Sequence, residues 1–144
     1  MTKKRISAYE QALKYLGLKM YSSGDLLFRL TNKGYENSEI EKALVQLERE
    51  GFVSDKSYAR IYLENLMNYR SFGFYGARVK LLQKRLDKGL VDRVLKDFFS
   101  EEAEEEIANR FIKKPSNGRR SRQSLVSALK RKGFRTSVIF KILA

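Results

Sequence analysis

Lys80, Lys84 and Lys88 stand four residues apart, with Arg78 just before them and Arg85 among them. On one helix the three lysines share a face at i, i+4 and i+8, and like charges at that spacing repel. An anionic partner would relieve the repulsion, so the chemistry on offer is binding rather than bond breaking. Arg70 lies just upstream, inside an acid-free window from Asn65 to Leu86. Arg119, Arg120 and Arg122 precede a helix-forming stretch, where forked guanidinium donors and the positive end of a helix dipole both suit phosphate or carboxylate. Lys130 and Arg131, with Lys132 and Arg135, carry the positive charge further. A solvated basic face is the plain alternative for the lysines, and a flexible basic loop for the linker arginines.

Charge is the strongest compositional signal. The chain has 144 residues, with 30 Lys+Arg against 17 Asp+Glu and a net charge of +13. From Ile107 onward there are eleven basic residues and no acid. A surplus so placed implies a polyanionic partner or an acidic protein surface. Catalytic options are few. With no histidine and no cysteine, the commonest general base, thiolate metal sites, disulfides and a cysteine nucleophile are all excluded. Glu101, Glu102, Glu104, Glu105 and Glu106 suggest a divalent-metal nuclease only weakly. A favourable helix start and a Glu106–Arg110 pair explain the run better. The stretch GFYG at 73–76 lacks the lysine and spacing of a phosphate cradle. No cofactor is expected.

Aromatic residues gather at Tyr58, Tyr62, Tyr69, Phe72, Phe74 and Tyr75. At helical spacing they suit a core, and exposed ones could stack on unpaired bases. Phe72 and Phe74, on either side of a glycine, are the best candidates for exposure.

The elements that must position these groups read as helices. Proline occurs once, at Pro115, and leucine is the dominant apolar residue. Apolar residues recur at three and four: Ile6, Tyr9, Leu13 and Leu16; Ile40, Leu44 and Leu47; Tyr75, Val79, Leu82 and Leu86. Helices are expected at about 7–20, 23–33, 38–50, 55–70, 75–88, 91–99, 101–113, 121–132 and 136–143. Three lysine-glycine-apolar triplets punctuate them, at Gly34, Gly89 and Gly133. Glycine at a helix C′ position adopts the left-handed turn, lysine complements the dipole, and the apolar residue packs back. All three glycines are expected at positive φ. Ser38 with Glu41, and Thr136 or Ser137, would cap the helices that follow. The segment KKPSNGRRSR at 113–122 reads as a linker.

The fold class is therefore all-α, an elongated tandem array of three-helix repeats spanning 1–54, 55–100 and 101–144. No stretch is apolar enough to span a membrane, and Glu10, Gln11 and Lys14 interrupt the apolar core that a signal peptide would need. A cytoplasmic monomer is expected.

Residues 51–90, GFVSDKSYARIYLENLMNYRSFGFYGARVKLLQKRLDKGL, resemble the RecX family of bacterial regulatory proteins. A glycine-aromatic turn is followed by Asp55, Tyr58-Ala59, Arg70 and Gly73, and then by a basic helix ending at Lys88-Gly89. The flanking YSSGDLLFRLTNKGY and IEKALVQLEREGF resemble the family's first repeat, and LVSALKRKGF its third. The resemblance implies a helical-repeat protein without a catalytic centre. It also implies binding to the RecA recombinase filament on single-stranded DNA, with filament growth and RecA activity lowered. A helix-turn-helix DNA binder, with residues 121–143 as its two helices, is the rival reading.

Overall fold

A computed structural model describes residues 5–144; the basic head at 1–4 lies outside the described residues. These residues fold as α1 (Ala8–Leu16), α2 (Ser23–Asn32), α3 (Asn37–Arg49), α4 (Asp55–Tyr69), α5 (Phe74–Leu82), α6 (Lys88–Phe98), α7 (Glu101–Ile112), α8 (Arg122–Arg131) and α9 (Thr136–Ile142). Among them there is no strand, and no helix is long and apolar enough to cross a membrane. Contacts divide the chain into two compact units. The first holds residues up to Tyr58 together with Lys84–Leu86, and the second holds Ala59–Gln83 and Asp87–Ala144.

Buried positions repeat. Ala8, Ala12, Leu26, Leu30, Ile40 and Ala43 recur 51 positions later (8 to 59) as Ala59, Leu63, Ala77, Leu81, Val91 and Val94. In the first unit alanines on α1 face leucines on α2, and in the second α4 and α5 each bury one alanine and one leucine at these positions, so small and large residues together fill the space between the helices. This is a helical-repeat fold, and its register corrects the glycine reading. Gly34 and Gly133 have φ of +95° and +82°, as expected, whereas Gly89 does not have positive φ and sits in the first turn of α6. The residue that turns left-handed is Arg85, at φ +57°. The equivalent triplets are thus Lys33-Gly34-Tyr35, Lys84-Arg85-Leu86 and Lys132-Gly133-Phe134, whose third residues are all buried. At Gly34 and Gly133 the helix closes with paired bonds to earlier carbonyls. Tyr35 N–H donates to Leu30 at 3.2 Å and Phe134 N–H to Leu129 at 3.1 Å.

Arg85 costs about 1–2 kcal/mol in that conformation, so its surroundings must hold it there. Ser22 Oγ donates to the Lys84 carbonyl at 2.6 Å, and Arg85 Nη1 to Asp25 at 3.0 Å. The guanidinium also lies over the Phe28 ring at 3.8 Å. As a result α5 stops at Leu82 rather than 88. Lys80, Lys84 and Lys88 therefore share no helix face: one is in α5, one in the turn, and one begins α6. The apolar stripe moves too. Ala77 and Leu81 are the buried positions, while Tyr75 and Val79 are more than half exposed.

Ser38, Thr136 and Ser137 do not cap. Glu36 and Arg135 are the N-caps of α3 and α9, neither with a side-chain capping bond. Each N-cap falls two residues after the left-handed glycine, ahead of those hydroxyls, which therefore lie inside the first turn. The 113–122 linker is partly folded: Pro115–Asn117 form a 3₁₀ turn, and Asn117 is buried with its amide donating to the Phe111 carbonyl at 2.7 Å.

One junction occurs in both units. In the first, the Asp55 carboxylate accepts from Ser23 N–H at 2.7 Å and Ser23 Oγ at 2.5 Å, at the start of α2. In the second, fully buried Glu104 accepts from Phe74 N–H at 2.8 Å, at the start of α5. It also accepts from Arg135 N–H at 3.0 Å and Arg135 Nε at 2.6 Å. Carboxylates thus occupy the positive ends of both second helices. The expected Glu106–Arg110 pair is replaced, because Arg110 donates to the carbonyls of Met67 and Arg70 at 2.7 and 2.8 Å.

Candidate functional site

The basic residues divide by what already holds them. Arg78 pairs with Asp92 of α6 at 2.8 Å, and Arg85 is tied to Asp25. Arg122 donates to the Leu143 carbonyl at 3.2 Å. Lys84 lies in the left-handed turn. Lys88, Arg119, Arg120, Lys130 and Arg131 are exposed. Two of the expected residues converge: Arg70 and Lys80 both approach Phe72.

Phe72 is half-buried in the segment between α4 and α5. The Arg70 guanidinium lies 5.6 Å from its ring centre, Lys80 Nζ 5.3 Å and Lys132 Nζ 5.0 Å. Backbone bonds set this up. Gly73 N–H donates to the Lys132 carbonyl and Tyr75 N–H to the Gly133 carbonyl, both at 2.9 Å, so the α8–α9 turn docks on the start of α5. The approach is so close that a Cβ on Gly73 would meet Phe134 Cα at 2.3 Å. Lys80 arrives two turns into α5, and Arg70 follows the last residue of α4.

Each cation–ring contact contributes about 0.5–1 kcal/mol, enough to hold a flexible side chain without removing its charge. Any two of the three cations stand within about 11 Å, close to the screening length of physiological salt. Among the described residues none of the three is in an ion pair. The arrangement concentrates uncompensated positive charge around one aromatic edge, which is the electrostatic footprint for phosphate or carboxylate groups. The α5 N-terminus offers no anion site of its own, because Glu104 already takes the Phe74 N–H.

Sequence reasoning names Arg70 and Lys80 as binding candidates without bringing them to Phe72, and treats Lys132 only as part of a wider positive field. The link to Lys132 depends on the interlocked backbones of Gly73, Gly76 and Gly133, which the spacing GFYG hints at without showing what those glycines meet. The same docking bears on the helix-turn-helix reading. The turn between α8 and α9 is covered by the start of α5, with Gly76 N 2.1 Å from where a Gly133 Cβ would lie. Phe74, the other expected exposed ring, is half-buried, edge-on to Phe99 at 5.8 Å and under Arg135 at 4.3 Å. The glutamates are also committed, Glu104 to Arg135 and Glu105 to Lys141 at 2.9 Å.

Fold and site together define a helical-repeat protein with a cation-ringed aromatic on its surface, suited to a polyanion. Residues 8–47 match the family model described as the first three-helix domain of RecX. The regulatory protein RecX of Caldanaerobacter subterraneus is 27% identical over 139 residues, covering 94% of this chain and 68% of its own length. That of Syntrophotalea carbinolica is 27% identical over 145 residues, covering 95% and 94%. Against a RecX of Lactococcus lactis the match covers only 55% of the relative, so the chain spans from about half to nearly all of the curated relatives' length. A crystal structure of regulatory protein RecX superposes with a TM-score of 0.78 at 26% identity, covering 94% of this chain and 70% of that one. RecX from Lactobacillus salivarius gives 0.86 at 21% identity, covering 94% and 92%, a likeness of fold. Similarity to regulatory proteins named RecX thus runs through most of the chain, and the family model itself matches residues 8–47.

Proposed function

We propose that the chain binds the RecA recombinase filament on single-stranded DNA and restrains its growth and activities in recombination and repair, without catalysis of its own. It acts as a cytoplasmic monomer built of repeats 1–54, 55–100 and 101–144. The observation that carries this reading is the convergence of Arg70, Lys80 and Lys132 on Phe72, three cations in no ion pair among the described residues, on a chain of net charge +13. Similarity to proteins named regulatory protein RecX supports it from the other side. A single strand held in a filament presents phosphates at regular intervals, and contacts to them release counterions. Lys88, Arg119, Arg120, Lys130 and Arg131, all exposed, add to the field that draws the chain towards such a target.

The test is binding to preassembled filament, read by co-sedimentation. The wild type should pellet with RecA on single-stranded DNA, and Arg70→Gln/Lys80→Gln/Lys132→Gln should pellet at least tenfold less well. A folded triple variant that pellets like the wild type would refute the role given to this site.

A further inference from the structure

The 51-position register that aligns the two units' cores also aligns something outside them. Adding it to Lys19, Tyr21 and Arg29 gives Arg70, Phe72 and Lys80 (19 to 70). The geometry recurs with the spacing. Lys19 Nζ lies 4.9 Å from the Tyr21 ring centre and the Arg29 guanidinium 5.0 Å, against 5.6 and 5.3 Å at Phe72. In both places an aromatic residue directly precedes the N-cap of a second helix. One cation sits two residues before it and one eight after. Lys19 and Arg29 are exposed, and among the described residues neither is in an ion pair.

Core packing demands an aromatic residue here but not a bracket of cations on it. Two like charges held near one ring repel, and that cost repeats in each unit with no ion pair among the described residues to offset it. Tyr21 is only 8% exposed, so the ring is a brace for the cations and not a platform for a base. The adjoining α2 N-terminus is already occupied by Asp55, which leaves the contact to the side chains.

We infer that Lys19 and Arg29, braced on Tyr21, form a second binding site for the phosphate backbone of single-stranded nucleic acid, of the same make as the site at Phe72. The inference rests on the proposed reading that Arg70 and Lys80 meet such a backbone. Phosphates are favoured over an acidic protein surface because one two-cation bracket, repeated without change of spacing, suits a ligand whose own charge repeats unchanged.

The experiment measures binding of labelled oligothymidylate over a salt series, without RecA. The probe strand is offered to the wild type, to Lys19→Gln/Arg29→Gln, and to Lys42→Gln/Lys56→Gln, which removes the same charge from exposed lysines of the first unit. Lys19→Gln alone, outside any helix, guards against loss of folding in the double variant. Each lost single-strand phosphate contact lowers the slope of log K against log salt by about 0.7. The double variant should lose about 1.4 and Lys19→Gln about 0.7, with the lysine control unchanged. Wild-type slopes in both Lys19 variants would overturn the inference while leaving the site at Phe72 standing. A wild type that does not bind the bare strand would overturn the phosphate reading at both sites. Variants that keep the bare-strand slope but lose their effect on RecA filament would assign Lys19 and Arg29 to an acidic protein surface instead, against the inference.

Discussion

Glu104→Gln removes one charge and one acceptor from a fully buried position. Glu104 is fully buried, and its carboxylate takes three hydrogen bonds, two from Arg135 and one from Phe74. A glutamine retains a single oxygen. If that oxygen keeps the two backbone N–H groups, the amide nitrogen faces Arg135 Nε, donor against donor. The lost bond is charge-assisted and contributes about 1.5–3 kcal/mol. Arg135 is left as a cation only 23% exposed, with its Nη2 already buried and unpartnered. Breaking a fully buried pair costs about 3–5 kcal/mol, and the partial exposure of Arg135 places this one near 3 kcal/mol. Asp55→Asn is the matched control at the equivalent junction. Its two acceptors serve Ser23 N–H and Ser23 Oγ, and the hydroxyl can turn to accept from an amide. Only charge assistance is lost there, about 1 kcal/mol. The chain has no tryptophan, so far-ultraviolet ellipticity in urea is the assay. With slopes of about 1–3 kcal/mol per molar, the Glu104→Gln midpoint should fall by at least about 1 M, and the Asp55→Asn midpoint by clearly less. Equal losses would refute the account of the buried carboxylate.

Gly133→Ala should cost more than about 2 kcal/mol in the same assay, since φ is +82° and the new Cβ would lie 2.1 Å from Gly76 N. Gly89→Ala should be neutral or stabilise by up to about 1 kcal/mol, because Gly89 is helical and its Cβ would meet only the exposed Asp87 carboxylate, at 3.1 Å. Equal effects of the two would contradict the register of the turns. The hydrogen bond from Arg78, together with its charge, holds the Asp92 carboxyl below the ordinary carboxylate range. That pairing stabilises the fold above the ordinary value and is lost as pH falls through the depressed one. In Arg78→Gln the carboxyl titration of Asp92, followed by NMR, should shift upward; an unmoved midpoint would remove Arg78 as its cause.

Helix existence was legible because leucine and alanine recur at three and four, and because two of the stops use glycine. The middle stop was not. Left-handed arginine leaves no compositional trace, and the nearby Lys88-Gly89 offered a false one. What fixes Arg85 is tertiary: the close start of α2, where a Gly24 Cβ would lie 2.3 Å from the Arg85 carbonyl, and the pair with Asp25. That single misplaced stop moved Lys84 and Lys88 onto a helix they do not share and Tyr75 and Val79 into a core they do not join. Charge alone singled out Arg70 and Lys80, but the surroundings of Phe72 depend on a turn about sixty residues away. The bracket at Tyr21 was readable in principle, since Lys19-x-Tyr21 and Arg70-x-Phe72 align once Arg85 is matched to Gly34. Glu104 was hidden among four other glutamates, with nothing local to mark it as the buried one.

The central claim is that this chain restrains RecA on single-stranded DNA through unpaired cations. RecA's DNA-dependent ATP hydrolysis, followed as the chain is added below one copy per RecA, tests it most directly. The account predicts that the wild type lowers the rate at these substoichiometric amounts, and that Arg70→Gln/Lys80→Gln/Lys132→Gln, folded by circular dichroism, needs at least tenfold more. An unchanged rate with wild-type chain, or equal potency of the triple variant, would contradict it.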